Sequence, residues 1–236
     1  MLRWIKNNFP NLLTASNLAC GILGILLILE KGTDAFALVG YLVLLAGIFD
    51  FFDGFAARLL GSSSNIGKDL DSLADLVTFG ILPTVMVYSW CRHLGISDGL
   101  NPLFSFASIS IGIFSAVRLA IFNNDTRQSD QFIGVPTPAN AFFLVFLVIS
   151  QSQAGADFYF TRIHWLVISA VSSFLLVSPI PLIALKFKDY GIVNNWQRYL
   201  LISVAVLGLA IYWLSAIPLL ILVYIGLSIL ANFLKK

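Results

Sequence analysis

The sequence predicts an all-α membrane protein, a bundle of about eight membrane-spanning helices in a single domain. Composition is the first reason: 58% of the 236 residues are hydrophobic and only 11% are charged, whereas soluble domains carry about 25% charged residues. The second reason is that apolar stretches approaching the roughly 20 residues needed to cross a bilayer recur along the whole chain. No Gly/Ser-rich or Pro-rich linker separates them, so we expect residues 1–236 to form one integral membrane domain.

The predicted elements follow these stretches in order. In residues 1–10, Arg3 and Lys6 alternate with apolar side chains, which predicts an amphipathic segment at the membrane interface. Pro10 suits the start of the first span. The last two spans are separated by a short segment ending at Pro218 and should form a hairpin. The eight spans are expected near residues 12–30, 35–60, 70–92, 103–122, 138–153, 162–180, 199–214 and 217–234.

The distribution of Lys and Arg predicts the orientation, because positive residues concentrate on the cytoplasmic side of membrane proteins. With eight spans and a cytoplasmic N-terminus, only Lys31, Arg92 and Arg162 fall on the far side. The cytoplasmic side then receives Arg3, Lys6, Arg58, Lys68, Arg118, Arg127, Lys186, Lys188, Arg198, Lys235 and Lys236. We therefore expect both termini, and the ends of the second and third spans, to face the cytoplasm from the inner membrane.

Residues 50–75 hold five aspartates, an unusual density for so apolar a chain. On the second span, one helical face carries residues spaced i, i+3, i+4, i+7 and i+8; they are Asp50, Asp53, Gly54, Ala57 and Arg58. Asp71 and Asp75 are spaced i, i+4 and share a face of the third span. The polar turn at residues 61–65 joins the two spans, so four carboxylates can converge in one pocket.

Converging carboxylates in a partly dehydrated site need cations to neutralise them. Oxygen-only ligands suit Mg²⁺, Mn²⁺ or Ca²⁺ rather than zinc, and two such ions could bind a pyrophosphate group. The small residues Gly54, Ala57 and Gly67 would let a flat group approach the helix backbones. The plain alternative is a solvated cluster of charges at the membrane surface.

The spacing of these residues resembles the signature of the CDP-alcohol phosphotransferase family. The pattern in this sequence is Asp50-x2-Asp53-Gly54-x2-Ala57-Arg58-x8-Gly67-x3-Asp71-x3-Asp75. The resemblance implies a membrane enzyme that moves a phosphatidyl-type group from a CDP-linked lipid to an alcohol and releases CMP. It implies that Asp50, Asp53 and Asp71 are metal ligands and that Asp75 is the general base, with a further role as a ligand.

The same resemblance implies a nucleotide site. Gly54, Ala57 and Gly67 would line the cytidine pocket, with Asp53 and Asp71 bordering it, while Arg58 would hold the helix pair or the phosphates. A further stretch, FPNLLTASNLACGILGI at residues 9–25, resembles the opening of the phosphatidylserine synthases of this family. It places Asn11, Thr14 and Asn17 on the first span, where we expect them at the nucleotide or its phosphates. The alternative for Thr14 and Asn17 is hydrogen bonding between helices.

Two later stretches bear on the acceptor alcohol. SAVRLAIFNND at residues 115–125 resembles a segment in which those synthases usually carry two arginines; Arg118 is present, but Ile121 replaces the second. Arg118 is expected at a lipid phosphate or the serine carboxylate, with snorkelling to the interface as the alternative. GVPTPANA at residues 134–141 also resembles these synthases and offers Thr137 as an acceptor contact.

Together these residues predict a transferase that moves a phosphatidyl group from CDP-diacylglycerol to L-serine, giving phosphatidylserine and CMP, with two divalent cations, Mg²⁺ or Mn²⁺. The resemblance also implies a homodimer among membrane lipids, and no nucleic acid is expected as a partner. A sibling enzyme with glycerol 3-phosphate, inositol phosphate or choline as acceptor is the nearest alternative, although Ile121 argues against phosphorylated acceptors. A cation transporter is more remote, because it would need polar residues in several spans on both sides.

Overall fold

The computed structural model describes residues 2–62, 64–94, 101–125, 132–153, 160–183 and 191–234. These ranges are almost entirely helical, which confirms the all-α prediction. Their α-helices are α1 (Leu2–Lys31), α2 (Phe36–Leu60), α3 (Asn65–Asp75), α4 (Leu82–His93), α5 (Ile109–Asn124), α6 (Thr137–Gln153), α7 (Arg162–Val177), α8 (Ile192–Tyr212) and α9 (Ile217–Leu234). Short 3₁₀ turns lie at Gly32–Ala35, Pro102–Ser108 and Trp213–Ala216. Two short strands, β1 (Phe132–Ile133) and β2 (Pro181–Leu182), pair antiparallel.

Four helical stretches of the described chain are long and apolar enough to cross a membrane, as expected of an integral membrane protein. They are Asn8–Leu60, Asn65–His93, Leu103–Asn124 and Asn195–Asn232. The first contains α1 and α2, divided at Gly32–Ala35, and the last contains α8 and α9, divided at Trp213–Ala216. The expected break between the last two spans is therefore present, while the total of eight spans stays a prediction.

Several predicted boundaries differ from the structure. The expectation that Pro10 starts the first span is wrong, because α1 already begins at Leu2 and continues through the proline. The third helical stretch begins at Asn65 rather than near residue 70, since the Ser64 hydroxyl accepts a hydrogen bond from the Gly67 amide at 3.0 Å and caps α3. Helix α8 begins at Ile192 rather than near residue 199.

A π-helical segment, Leu76–Ile81, joins α3 to α4 without interrupting the helical path. Its residues Thr78 and Phe79 are fully buried, and Phe79 belongs to a core that also contains Phe36, Leu82 and Phe146. The segment therefore links the aspartates of α3 directly to the packed interior.

Helix α1 packs against α2, α3 and the π-helical segment. The approach to the π-helical segment is close at Gly21, where a Cβ would overlap the Thr78 hydroxyl and lie 2.9 Å from the Thr78 Cα. The Thr78 hydroxyl also donates a hydrogen bond to the Asn17 carbonyl at 3.1 Å. Glycine at this point lets α1 lie against the helix that carries Asp71 and Asp75.

The last helix holds the strand pair in place. Three polar side chains spaced four residues apart along α9 bond to the backbone around β2. Tyr224 donates to the Ile183 carbonyl at 3.0 Å, and Ser228 accepts from the Ile183 amide at 3.2 Å. Asn232 donates to the Pro181 carbonyl at 2.6 Å. Through β2, α9 fixes β1 and the chain that leads into α6.

Candidate active site

Three carboxylates converge beside the turn between α2 and α3. One carboxylate oxygen from each of Asp50, Asp53 and Asp71 lies within 4.8 Å of the other two. Asp53 is only 5% exposed, and the other two are half-buried. The helical spacing predicts that four carboxylates converge, and the structure brings these three of them together.

Asp75 is the last residue of α3 and is buried. Its Oδ1 accepts a hydrogen bond from Asn17 Nδ2 at 3.0 Å. Asp75 is close enough to Asp50, Asp53 and Asp71 to interact with them electrostatically, yet it lies outside the group of three that could share an ion. Its roles as base and as ligand stay predictions.

Helix α1 contributes two buried side chains to the acidic cluster. The Thr14 hydroxyl lies 2.7 Å from Asp53 Oδ2, within hydrogen-bond reach, and Asn17 bonds to Asp75. Thr14 also borders the adjoining cleft, whereas Asn17 is 0% exposed and lies against Asp75 instead. Both make the interhelical hydrogen bonds considered as the alternative, and their partners are the aspartates of the motif.

The donor set fits a hard divalent cation. Three carboxylates at this separation repel one another, and Asp53 has little access to water that would screen the repulsion. The Oδ1 atom of Asp71 is buried and has no hydrogen-bond partner among the described residues. A buried, unpartnered carboxylate oxygen beside two further carboxylates is an arrangement that a cation would satisfy, and oxygen ligands favour Mg²⁺, Mn²⁺ or Ca²⁺.

A cleft of about 190 Å³ adjoins the carboxylates. Its lining includes two of the metal-ligand candidates and the small residues of the motif. At Gly67, a Cβ would stand 3.1 Å from both Asn11 Oδ1 and Ser64 Oγ, so any side chain there would crowd the cleft. The lining residues are Pro10, Asn11, Thr14, Asp53, Gly54, Ala57, Ser62, Ser64, Gly67, Lys68 and Asp71.

Four of these lining residues were not among the predicted site residues: Pro10, Ser62, Ser64 and Lys68. The two serines belong to a polar turn that sequence reasoning treated only as a connection. Lys68 also ties α3 to the end of α5, because its ammonium donates to the Asn123 carbonyl at 2.9 Å. That long-range contact has no local sequence signal.

Besides Asp50, Asp75 and Asn17, three predicted residues lie outside the set that lines the cleft. Arg58 is exposed at the end of α2. Arg118 is 3% exposed, and its guanidinium carbon lies 5.0 Å from the centre of the Phe122 ring. Thr137 is buried at the first position of α6. The proposed contacts of these residues with phosphates or acceptor stay predictions.

The fold and the acidic site together define a class: a helical integral membrane protein with a carboxylate cation site beside a cleft lined with small residues. Residues 7–177 match the family model described as CDP-alcohol phosphatidyltransferase. The chain belongs to this family. Family members use divalent metal ions, which agrees with the acidic triad.

Several curated proteins are similar to this chain over part of their length. The chain is 36% identical over 147 residues to a CDP-diacylglycerol–serine O-phosphatidyltransferase of Helicobacter pylori (strain J99), covering 61% of this chain and 59% of the relative. It is 35% identical over 142 residues to the protein of that name from Bacillus subtilis, covering 60% of this chain and 75% of the relative. An archaetidylserine synthase of Methanothermobacter thermautotrophicus is 32% identical over 169 residues, covering 69% of this chain and 67% of the relative. The match thus spans about three fifths of the Helicobacter relative.

Proposed function

We propose that this protein transfers a phosphatidyl group from CDP-diacylglycerol to the hydroxyl of L-serine, producing phosphatidylserine and CMP. The observation that carries the proposal is the convergence of Asp50, Asp53 and Asp71 within 4.8 Å beside a cleft lined by the motif's small residues. The choice of serine is supported by the names of the relatives.

Two divalent cations, Mg²⁺ or Mn²⁺, are proposed as cofactors. Asp50, Asp53 and Asp71 would hold them, and the unpartnered oxygen of Asp71 supports this assignment. When bound, such ions neutralise phosphate oxygens and stabilise the entering and leaving oxygens of an in-line displacement. The sequence also predicts Asp75 as a ligand, but Asp75 lies outside the group formed by Asp50, Asp53 and Asp71. We therefore propose that Asp75 accepts the proton.

The cleft is proposed as the cytidine site. Gly54, Ala57 and Gly67 leave room for a flat base against the helix backbones, and Asn11 and Thr14 border the same space. The exposed Arg58 is proposed to meet the phosphates from the cytoplasmic side. The predicted nucleotide contact of Asn17 has no support in its position, since its side chain is fully buried against Asp75.

The proposed reaction is a single displacement at phosphorus. The serine hydroxyl oxygen forms a bond to the phosphorus that carries diacylglycerol, and the bond from that phosphorus to the bridging oxygen breaks. CMP leaves with the bridging oxygen. The hydroxyl proton passes to the carboxylate of Asp75 and from there to solvent, because an alcohol is a poor nucleophile until a base accepts its proton.

The acceptor is proposed to be bound by Arg118 and Thr137. Arg118 is a buried cation on α5, and a buried guanidinium suits recognition of a carboxylate or phosphate. The neighbouring Ile121 is 43% exposed and apolar, so this face of α5 offers one guanidinium rather than two. That favours serine over acceptors that carry a phosphate.

We further propose a membrane arrangement of eight spans forming one domain over residues 1–236, with residues 1–10 at the interface. Both termini and the carboxylates would face the cytoplasm, where serine and CMP exchange, while the lipid tails stay between helices in the inner membrane. The Lys and Arg distribution supports this orientation. A homodimer is proposed from the family resemblance.

The test is CMP release from CDP-diacylglycerol by the purified protein in detergent, with serine, choline and glycerol 3-phosphate as separate acceptors. We expect metal-dependent release with serine and a phosphatidylserine product. Asp71→Asn should abolish release, whereas Asp69→Asn, which removes the same charge from an exposed residue of α3 outside the motif, should not. Release with another alcohol alone would overturn the serine assignment, and no release with any acceptor would overturn the enzyme assignment.

A further inference from the structure

Two aspartates on different helices are each hydrogen-bonded to a different side chain of α1. The Thr14 hydroxyl lies 2.7 Å from Asp53 Oδ2 of α2 and 3.1 Å from the Pro10 carbonyl, so the carboxylate is the closer acceptor for its proton. Asn17 reaches Asp75 of α3 at 3.0 Å. Thr14 and Asn17 are spaced i, i+3 and share one face of α1. All four side chains are buried, so water does not readily replace either bond.

We propose that α1 is a positioning helix with two separable tasks: Thr14 holds Asp53 in its metal-ligand orientation, and Asn17 holds Asp75 in its orientation toward the acceptor hydroxyl. This inference rests on the proposed function. It assigns both residues to the carboxylates rather than to the nucleotide.

The contact of Thr14 has the character of an outer-shell interaction. A hydroxyl that donates to one oxygen of a carboxylate restricts its rotation and leaves the other oxygen for a ligand. Because Thr14 is 3% exposed and Asp53 is 5% exposed, loss of the hydroxyl would leave this oxygen without a ready substitute donor. Loss of such partners typically costs about 10–100-fold in metal affinity.

The contact of Asn17 concerns the base alone. The amide must present Nδ2 to Asp75, because its oxygen would repel the carboxylate. The remaining Asn17 Oδ1 is buried without a hydrogen-bond partner among the described residues. A buried polar atom left unpaired is costly, so an amide would be unfavourable at this position without its hydrogen bond to Asp75. That hydrogen bond is therefore the contribution we assign to Asn17.

The two tasks predict different effects: loss of the Thr14 hydroxyl should lower metal affinity, and loss of the Asn17 amide should lower kcat. Thr14→Val keeps the side-chain shape and removes the donor; Mn²⁺ affinity, measured by direct titration without nucleotide, should fall about 10–100-fold. Turnover should return at saturating Mn²⁺, and Thr14→Ser should restore the affinity. Asn17→Leu should leave Mn²⁺ affinity and the KM for CDP-diacylglycerol within about two-fold. Its kcat should fall by about 10–100-fold, less than the roughly 10²–10⁴-fold that a general base contributes, because Asp75 itself remains. Excess metal should not restore the kcat.

Ser16→Ala is the matched control. Ser16 lies on the same helix and its hydroxyl donates to the Leu12 carbonyl at 2.9 Å, with no carboxylate partner among the described residues. This variant should match the wild type in Mn²⁺ affinity, KM and kcat. Asn17→Ala serves as a second variant should the leucine disturb folding, as judged by thermal melting and size-exclusion profile.

Three outcomes would overturn the proposal. One is an unchanged Mn²⁺ affinity in Thr14→Val together with weaker CMP binding, which would make Thr14 a nucleotide contact. Another is an unchanged kcat in both Asn17 variants. The third is a similar fall in metal affinity and kcat, with a similar rise in KM, in the Thr14 and Asn17 variants alike. That result would indicate a general packing role for α1. Failure of the wild type to release CMP would instead refute the proposed function, and the Mn²⁺ titrations would still test the Thr14 assignment.

Discussion

Adding one methyl group at Gly21 should separate α1 from the helix that carries two of the aspartates. An alanine Cβ at this position would overlap the Thr78 hydroxyl and lie 2.9 Å from the Thr78 Cα, a backbone atom that cannot rotate away. Real Cβ atoms essentially never come within 3.0 Å of another heavy atom, so α1 and the π-helical segment must shift apart at this point. Overpacking of this kind costs about 1–3 kcal/mol, which corresponds to a melting temperature lower by about 2–12 °C for a chain of this size.

The assay is thermal melting of Gly21→Ala in detergent beside Gly226→Ala as the matched control. Gly226 lies in α9 with nothing within 4 Å of an added Cβ, so alanine there should be neutral or stabilise by up to about 1 kcal/mol. Thr78→Ala by itself loses the hydrogen bond to the Asn17 carbonyl, so the double variant is compared with that single variant. In this background Gly21→Ala should cost less than in the wild type, because the overlap with the hydroxyl is gone and only the one with the Cα remains. Equal melting temperatures for the two glycine variants would refute the close approach on which the position of α1 depends.

Four further predictions concern the site and the last helix. Asp75→Asn should retain Mn²⁺ and CDP-diacylglycerol binding but lose at least about 100-fold in turnover; a wild-type rate in product assays would contradict the base assignment. Gly67→Val should weaken CMP binding at least about 10-fold by calorimetry, because the added atoms enter the cleft beside Asn11; unchanged binding would place the nucleotide elsewhere. The melting temperature should fall as well, since the added atoms also crowd the Ser64 hydroxyl that caps α3. Chelation with EDTA should stop CMP release, and Mn²⁺ or Mg²⁺ should restore it; release that persists after chelation would exclude the cation role. Tyr224→Phe should cost about 1 kcal/mol of stability by removing the donor to Ile183, and a melting temperature equal to the wild type would contradict that.

The acidic site was predictable because its determinants are local. Asp50 and Asp53 are one helical turn apart, and a four-residue polar segment, residues 61–64, separates their helix from that of Asp71. Helical periodicity and a short connection are enough to bring these carboxylates together, without knowledge of any distant contact.

The partners of the aspartates were not predictable in the same way. The spacing of Thr14 and Asn17 shows that they share a face, but which carboxylate each one meets depends on how closely α1 approaches the rest of the bundle. That distance is set by the contact between Gly21 and Thr78, residues far apart in the sequence. The pairing of β1 with β2 was missed for a related reason, since two-residue strands carry no periodic pattern.

The π-helical segment Leu76–Ile81 adds one residue between the two halves of one long helix, Asn65–His93. A π turn accommodates about one residue more than an α turn, and each residue of an α-helix corresponds to about 100° of rotation. Shortening the segment by one residue would keep a continuous helix of nearly the same length. Because the extra residue is contained within one turn, such a deletion would leave Asp71 and Asp75 on one side and Leu82 on the other in nearly the same relative orientation. Along the sequence, however, residues on opposite sides of the segment are one position further apart than a regular α-helix would require. The faces of α3 and α4 therefore cannot be matched by counting with a 3.6-residue period across the segment.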